Sequence, residues 1–570
     1  MTQVITVTPV GGVATMGPGF YNVASYGASP GGTGNQTPYF AAAVAAMPTT
    51  GGTLYVGPGN YPLYQWAITK PIKVVGPGAV LTNFSASTDG SNYIVGIQSN
   101  GVSLEIGIEG DVSVGAQPAP DACILISTNA GVAYTDVRIQ GCTIVGGRYG
   151  INSTLMQDSW ITDNHIYGQW DYGIVGLTSC SRVFINDNVI RDVYRNSGVR
   201  IGALSLTPAV NDLDICGNIV TNCGIAGDQD GLDISTANGS RVRLDGNTIS
   251  ECPGAIEIKV FTAGTAYTDI SICNNICTSS ANTATGCDIA CNFVGDLQDH
   301  LKRVLIQGNQ LSTLRAPGGT FGIIVQSSFA DLSILDNTIH GPSYCIRIDM
   351  ASAFNLTRPV IRGNVINGGY GLYVTGSASE TIVSGVIADN DITYLYNAIY
   401  SPTGGPLWTT PEIVDNRFRR LVTNGSGGPA MRLTGIQGGV IADNKVKCFG
   451  SALSIETGLT NTSVVVTGNK FDTSDATNGD DCIDITAATG TIEIYGNSLR
   501  PRATFGRGWV QPSGAATVLA GSNDRGVSAA QPTVAGSLGD VFYDSTPGAG
   551  ATYWICTVAG DSGAATWTAQ

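Results

Sequence analysis

The sequence predicts an all-β protein: a single-stranded right-handed parallel β-helix with an N-terminal cap containing a short helix and a small C-terminal β module. Three observations predict it. A motif of Gly or Asp (once Asn), then Asn, a variable residue and an apolar residue occurs thirteen times between Asn164 and Asn497, at a mean period of about 28. Each copy has the same surroundings: an alternating strand such as RVRL or TIEI before the Asn, a short apolar strand after it, and a G-I-x-I strand six to twelve residues later. Short period-2 strands with Gly or Asn at the corners, and no helix-period pattern, describe one coil of a solenoid. The third observation is composition, because only 12% of the 570 residues are charged while 76 are glycine. Coiled coils, helical arrays and charged disordered chains all need far more charge.

Taken in order, residues 1–19 form an N-terminal segment without a basic start or a continuous apolar core, so no secretory signal is expected. No run of eighteen apolar residues occurs, so no membrane insertion is expected. Residues 20–119 hold the cap and first coils. There Thr37 is expected to N-cap an Ala-rich helix, PYFAAAVAAM, that stops before Pro48, and GGTLYVGPGNY is expected as the first strand and corner. Residues 120–500 form the β-helix, extended backwards by a degenerate motif copy at Cys142. Residues 501–530, rich in Gly, Ala and Ser, are expected as a linker, and 531–570 as the C-terminal module.

The repeated asparagines are scaffold. A Gly-Asn corner supplies left-handed backbone, and stacked Asn amides bond along the axis. Thirteen strands about 4.8 Å apart span roughly 60 Å, and the open ends of such a stack need caps. Cys273, Cys277, Cys287 and Cys291 are spaced four apart, yet the three histidines, His165, His300 and His340, do not complete a metal set with them. The cysteines are expected as small buried hydrophobes, the histidines as structural, and no cofactor or metal is expected. A net charge of −15 argues against nucleic acid.

Both ends carry family resemblances. Tyr21 to Val23, Tyr26 to Ala28, the Gly-rich turn 31–34, the helix 39–47, Gly51 to Val56 and Pro58 to Tyr61 resemble the start of the pectate-lyase-like β-helix superfamily, seen in phage tailspikes and polysaccharide-degrading enzymes. Asn35-Gln36-Thr37 replaces the usual Asp-Asp-Thr. Gly539 to Tyr543, Pro547-Gly548, Trp554 to Thr557 and Gly563 to Trp567 resemble small modules that end tailspikes and tail fibres. Trp554 and Trp567 there either bind glycan or clamp a trimer, or form the module's own core.

On a β-helix the outward residues of the G-I-x-I strands stack on one open face. Aligning these strands gives Arg200, Asp233, Glu257, Asp288, Ile324, Arg347, Tyr373, Tyr400, Arg432, Ser454 and Asp484, with Ser235, Lys259, Gln326, Asp349 and Glu456 two residues on. Along this ladder the acidic concentration is greatest in two adjacent coils, GDQDGLDIS and AIEIKVF. Asp233 and Glu257 on neighbouring coils are expected to hold their carboxyls roughly 5 to 8 Å apart, as two-carboxylate glycosidases do, so they are the candidate catalytic pair, helped by Asp228 or Asp230. Crowded like charges raise one pKa and keep an acid beside an ionised partner. Arg200, Lys259, Arg347, Asp349 and Tyr373 are the candidate substrate-binding residues. Asp480, Asp481 and Asp484 resemble the Gly-Asp-Asp stretch of polygalacturonases, but that family's Gly-His-Gly is absent, and they are expected as structural.

The resemblance implies a phage tailspike depolymerase: a homotrimer on the virion, with phage tail or baseplate proteins as further partners, hydrolysing a bacterial surface polysaccharide. A polysaccharide lyase or uronate epimerase on the same fold is the alternative enzyme. A glycan-binding adhesin or tail fibre is the non-enzymatic one.

Overall fold

The computed structural model describes residues 19–84, 92–112, 117–126, 132–202, 209–227, 229–236, 238–260, 267–279, 287–293, 301–313, 320–326, 329–350, 355–421, 428–456, 463–473, 482–486 and 490–500, then 512–513, 516–521, 523–528, 540–544, 553–558 and 566–569. One coil shows the plan. The strand Ala209–Cys216 leads to a corner at Gly217 and Asn218; Ile219–Cys223 follows, and Asp230–Thr236 closes the coil. Each strand pairs in parallel with its equivalent one coil later: Ala209–Cys216 with Asn238–Asp245, Ile219–Cys223 with Thr248–Cys252, and Asp230–Thr236 with Gly254–Val260. Such parallel crossovers take the right-handed sense. The column that follows the corner runs through fifteen strands, from Thr143–Val145 to Asp524–Ser528, or about 70 Å.

Alternation sends one side chain in two inward. Val199, Leu232, Ile256, Ile289, Ile323 and Ile346 occupy one inward column and are all buried. β-branched residues dominate because a stacked strand restricts χ1 little beyond what these residues already lack. The cysteines share this core, and Cys123, Cys142, Cys223, Cys277 and Cys345 are buried with free thiols. Burial in apolar surroundings pushes the Cys142 thiol up to about 12.

At the corner the residue before each asparagine, Gly or Asp and once Asn274, takes the left-handed conformation, as at Gly308 (φ 67°) and Asp336 (φ 54°). The asparagine itself is fully buried and serves as the link between coils. Asn309 donates its backbone N–H to Asn337 Oδ1 at 3.0 Å, one amide proton to the same oxygen at 2.9 Å and the other to Ile272 O at 2.9 Å. Its own Oδ1 accepts from the backbone and side chain of Asn275 at 2.9 and 3.0 Å. The ladder begins where the degenerate copy was expected, with Cys142 N donating to Asn164 Oδ1 at 2.9 Å.

It ends beyond the expected copies. Asn497 donates to Asn523, whose backbone and amide in turn reach Asp540 Oδ1 at 3.2 and 3.3 Å. The expected linker is therefore corrected: Ala516–Gly521 pairs in parallel with Gly490–Tyr495, so this stretch is a further coil. The chain then turns antiparallel, with Val541–Asp544, Tyr553–Val558 and Thr566–Ala569 as a meander. Trp567 is buried there, which makes it core; the Trp554 side chain lies outside the described residues.

A second correction concerns the cap. The helix Thr37–Ala46 forms, but Thr37 does not cap it, because its hydroxyl both accepts from Tyr64 N (2.8 Å) and donates to Tyr64 O (3.0 Å). Asn35 Oδ1 instead accepts from Thr37 N at 3.0 Å. The helix lies over the first coils through Phe40, whose ring packs edge-on against Tyr61 and Trp66 at 5.7 and 5.0 Å.

Candidate active site on the third sheet

The strand that closes each coil carries the candidate site. Its outward register runs Arg200, Asp233, Glu257, then Ala290, Ile324, Arg347, Tyr373, Tyr400, Arg432, Ser454 and Asp484. One expected position is corrected. Ala290 holds the place assigned to Asp288, which is two residues earlier, fully buried, and accepts from Thr313 Oγ1 at 3.0 Å. The strand begins CDIA, so aligning on the wrong apolar residue shifted it by a full side-chain period.

Asp233 and Glu257 are directly in register, as expected, but their surroundings differ. Asp233 is fully buried: Ser235 Oγ donates to its Oδ1 at 2.9 Å, and Arg200 Nη1 stands 3.5 Å from its Oδ2. Glu257 is 12% exposed and ion-paired to Lys259. Asp230, at the start of the same strand as Asp233, shares a hydrogen bond with Glu257. Two carboxyls can bond only if one keeps its proton. Burial, then that bond and the charges of Glu257 and Asp233, push Asp230 well above the usual carboxylate range. Burial also raises Asp233, against the pull of Lys259 and Arg200.

For Lys259, burial lowers the pKa, but Asp233 and Glu257 outweigh it and hold the ammonium charged. Arg200 also donates to Tyr172 Oη at 3.0 Å and to Gly202 O at 3.2 Å. Thus Asp230, Asp233, Glu257, Arg200 and Lys259 come together. Asp228, Asp480, Asp481 and His300 lie outside the described residues. His165 and His340 are exposed ends of short strands away from this sheet.

Three coils further along, about 14 Å away, a second cluster faces the same side. Phe321, Tyr344 and Tyr370 are in register and stack at 5.4 and 5.2 Å, while Tyr373 and Tyr400 stack beside them at 5.1 Å. The Arg347 guanidinium lies over Phe321, Tyr344 and Tyr373 at 5.1 to 5.8 Å and donates to Asp349 at 2.8 Å. On the other side of the carboxylates Tyr149 stacks on Tyr172 at 5.8 Å. The same column carries Asp230 and Gly254 between these rings. Sequence reasoning selected Tyr373 and Arg347 but missed the column of Phe321, Tyr344 and Tyr370. Its signal was present as an aromatic two residues before the first inward residue of successive strands: FGI, YCI, YGL.

The coil repeat, the inward columns and the corner ladder leave one architecture. The chain is a right-handed parallel β-helix. A family model described as a right handed beta helix region matches residues 119–259, and one described as periplasmic copper-binding protein (NosD) matches 216–420. Among solved structures, the β-helix is similar to the A-module of an Azotobacter vinelandii mannuronan C-5 epimerase (14% identity, 66% of this chain and 96% of that one, TM-score 0.29). It is also similar to the tailspike of an E. coli bacteriophage solved with a pentasaccharide (11%, 88% and 78%, TM-score 0.36) and to a Yersinia enterocolitica exopolygalacturonase (11%, 88% and 78%, TM-score 0.27). No curated protein sequence matches it. The donor set does not suit copper. Among the described residues no three His, Cys, Asp or Glu side chains gather as a metal site, and burial pushes the Cys277 and Cys345 thiols well up, away from the thiolate a soft metal binds. No helix among the described residues is long and apolar enough to cross a membrane.

Proposed function

We propose that the protein is a polysaccharide depolymerase that hydrolyses glycosidic bonds with the carboxyls of Asp230 and Glu257. The observation that carries this reading is the cluster itself, Asp230, Asp233 and Glu257 brought together with Arg200 and Lys259, in which burial and the neighbouring carboxyls raise Asp230 and so favour a general acid beside an ionised carboxylate. A retaining pair works at roughly 5 Å and an inverting one at 6.5 Å or more. A sugar ring entering between Asp230 and Glu257 separates the dyad: the protonated member donates to the leaving oxygen, and the ionised member supports attack at the anomeric carbon. Asp233, with no exposed surface, is a positioning residue, since its charge anchors Arg200 and Lys259 at the floor. The aromatic stacks on either side suit the apolar faces of sugar rings, and Arg347 and Lys259 suit acidic sugars.

A lyase or epimerase that uses Lys or Tyr against a ring proton needs that residue deprotonated. Lys259 is held as ammonium and burial raises the phenol of Tyr172, so neither supplies that base, which favours hydrolysis. The substrate class we propose is a bacterial surface polysaccharide and the setting a homotrimeric phage tailspike. The support is the cap motif from Tyr21 to Tyr61 and the terminal motif from Gly539 to Trp567. Digestion of purified host polysaccharide followed by mass spectrometry tests it. Products gain one water per cleavage, and Glu257→Gln and Asp230→Asn lower the rate about 100-fold or more. Asp233→Asn raises KM as well as lowering kcat. Fragments with an ultraviolet-absorbing unsaturated end, or full activity in Glu257→Gln, refute the assignment.

A further inference from the structure

Three successive motif copies place a cation directly after the ladder asparagine: Arg417 in DNRFRR, Lys445 in DNKVKC and Lys470 in GNKFDT. The register sets these three side chains one above another, Arg417 opposite Lys445 and Lys445 opposite Lys470. A second column two residues on runs Arg419, Lys447, Asp472 and Arg500, with Asp472 set between two of its cations. Like charges directly opposite on neighbouring strands are destabilising. At the other corner the chain sets opposite charges together instead, Arg241 on Asp212 and Arg303 on Asp269. Among the described residues, no carboxylate forms an ion pair with Arg417, Lys445 or Lys470.

These residues line a cleft of about 960 Å³, the floor of which includes Phe418 and Phe471. It lies on the sheet after the asparagine corner, not on the sheet that bears Asp230 and Glu257. Six cations line it, Arg417, Arg419, Lys445, Lys447, Lys470 and Arg500, against three carboxylates, Asp415, Asp443 and Asp472. That concentration stands in a chain of net charge −15 with 28 Lys and Arg in all. Repulsion stacked along the axis is relieved when an anion with the same repeat binds.

We infer that this cleft binds an extended acidic polysaccharide of the polyuronate class, at a site separate from the proposed hydrolytic one. Three features select that ligand. The cationic column repeats at the coil spacing of about 4.8 Å, a step close to the length of one sugar ring, so successive carboxylates meet successive cations. The interspersed Asp415 and Asp443 accept hydrogen bonds from ring hydroxyls, which a uniform phosphate backbone lacks. Nucleic acid also calls for exposed aromatic stacking surfaces, whereas Phe418 and Phe471 are 0% and 1% exposed.

The test uses the full chain and end-labelled polygalacturonate fragments, with neutral dextran and a single-stranded oligonucleotide as comparison probes, read by fluorescence anisotropy. Expected are binding of polygalacturonate that weakens with added salt, little binding of dextran, and weaker binding of the oligonucleotide. Lys445→Glu with Lys470→Glu should weaken polygalacturonate binding about tenfold or more, and Lys445→Gln with Lys470→Gln less. The melting temperature of the glutamine pair should equal or exceed that of the wild type, since a repulsive stack is removed, so lost binding is not lost folding. Binding in the groove of Asp230 and Glu257 is indifferent to these substitutions. Unchanged affinity in the double Glu variant, absence of polygalacturonate binding by the wild type, or equal binding of the oligonucleotide overturns the inference.

Discussion

Asp230 concentrates the conflict on which the proposed chemistry depends. Burial and the neighbouring carboxyls of Glu257 and Asp233 raise its pKa well above the ordinary value of 3.8. The folded state therefore binds a proton that the unfolded chain has released, so the stability this group contributes is present below about 3.8 and is lost as pH rises through the folded value. Asp230→Asn removes that loss. Thermal melting should show the variant gaining stability over the wild type near neutral pH, with the gain vanishing as pH falls toward 4, while hydrolysis is lost. Equal melting curves at both pH values would mean that Asp230 is not held protonated. Glu257 and Lys259 were selectable from sequence because five ionisable groups fell within two strands of a sparsely charged chain. That Asp233 lies beneath the floor was not, because strand alternation gives the side a residue faces but not the depth to which Arg200 and Ser235 cover it.

Among the elements, the corner ladder does most to join one coil to the next. Asn309→Ala would leave the Asn275 backbone N–H and one of its amide protons buried without an acceptor, and Ile272 O without a donor. At about 1 to 3 kcal/mol for each orphaned buried group, chemical denaturation should report a loss of about 3 kcal/mol or more. A loss within 0.5 kcal/mol, the range of ordinary surface changes, would show that the ladder only fills space. The aromatic columns make the contrasting case. Tyr370 is partly exposed and touches Tyr344, Tyr373 and Tyr400, so Tyr370→Ala should weaken binding of substrate oligosaccharide about tenfold at roughly 1.4 kcal/mol, with a smaller effect on melting. The ladder was legible because its amides recur with a fixed neighbour. The aromatic column was not extracted because its members sit at strand starts, outside the G-I-x-I frame used for alignment.

At the scale of the whole molecule the stack is one-dimensional, so each coil depends on its neighbours and the ends need closure. The helix Thr37–Ala46 closes one end through Phe40. Phe40→Ala should destabilise by about 3 to 5 kcal/mol, and hydrogen exchange should quicken in Gly52–Tyr55 and Gly59–Leu63 while the central coils stay protected. Uniformly faster exchange along the chain would show the solenoid melting as a single unit. At the other end Asp540 terminates the asparagine ladder by accepting from Asn523, which gives the Gly-Asp of the terminal motif a structural role. The expected linker failed here because small residues mark flexible chain by composition, yet the same residues fit a coil whose partners already exist.

The sequence by itself determined the β-helix, its corners, its capped N-terminal end and the strand pair that carries the candidate carboxylates, because each of these depends on residue type at a period that local backbone geometry imposes. Only the tertiary structure decided that Asp233 lies buried beneath Arg200 and Ser235, that Ala290 takes the place expected for Asp288, and that Arg417, Lys445 and Lys470 stand in one column. Those are contacts between residues about 25 to 30 positions apart, where the register of stacked coils, rather than any local preference, sets which side chains meet.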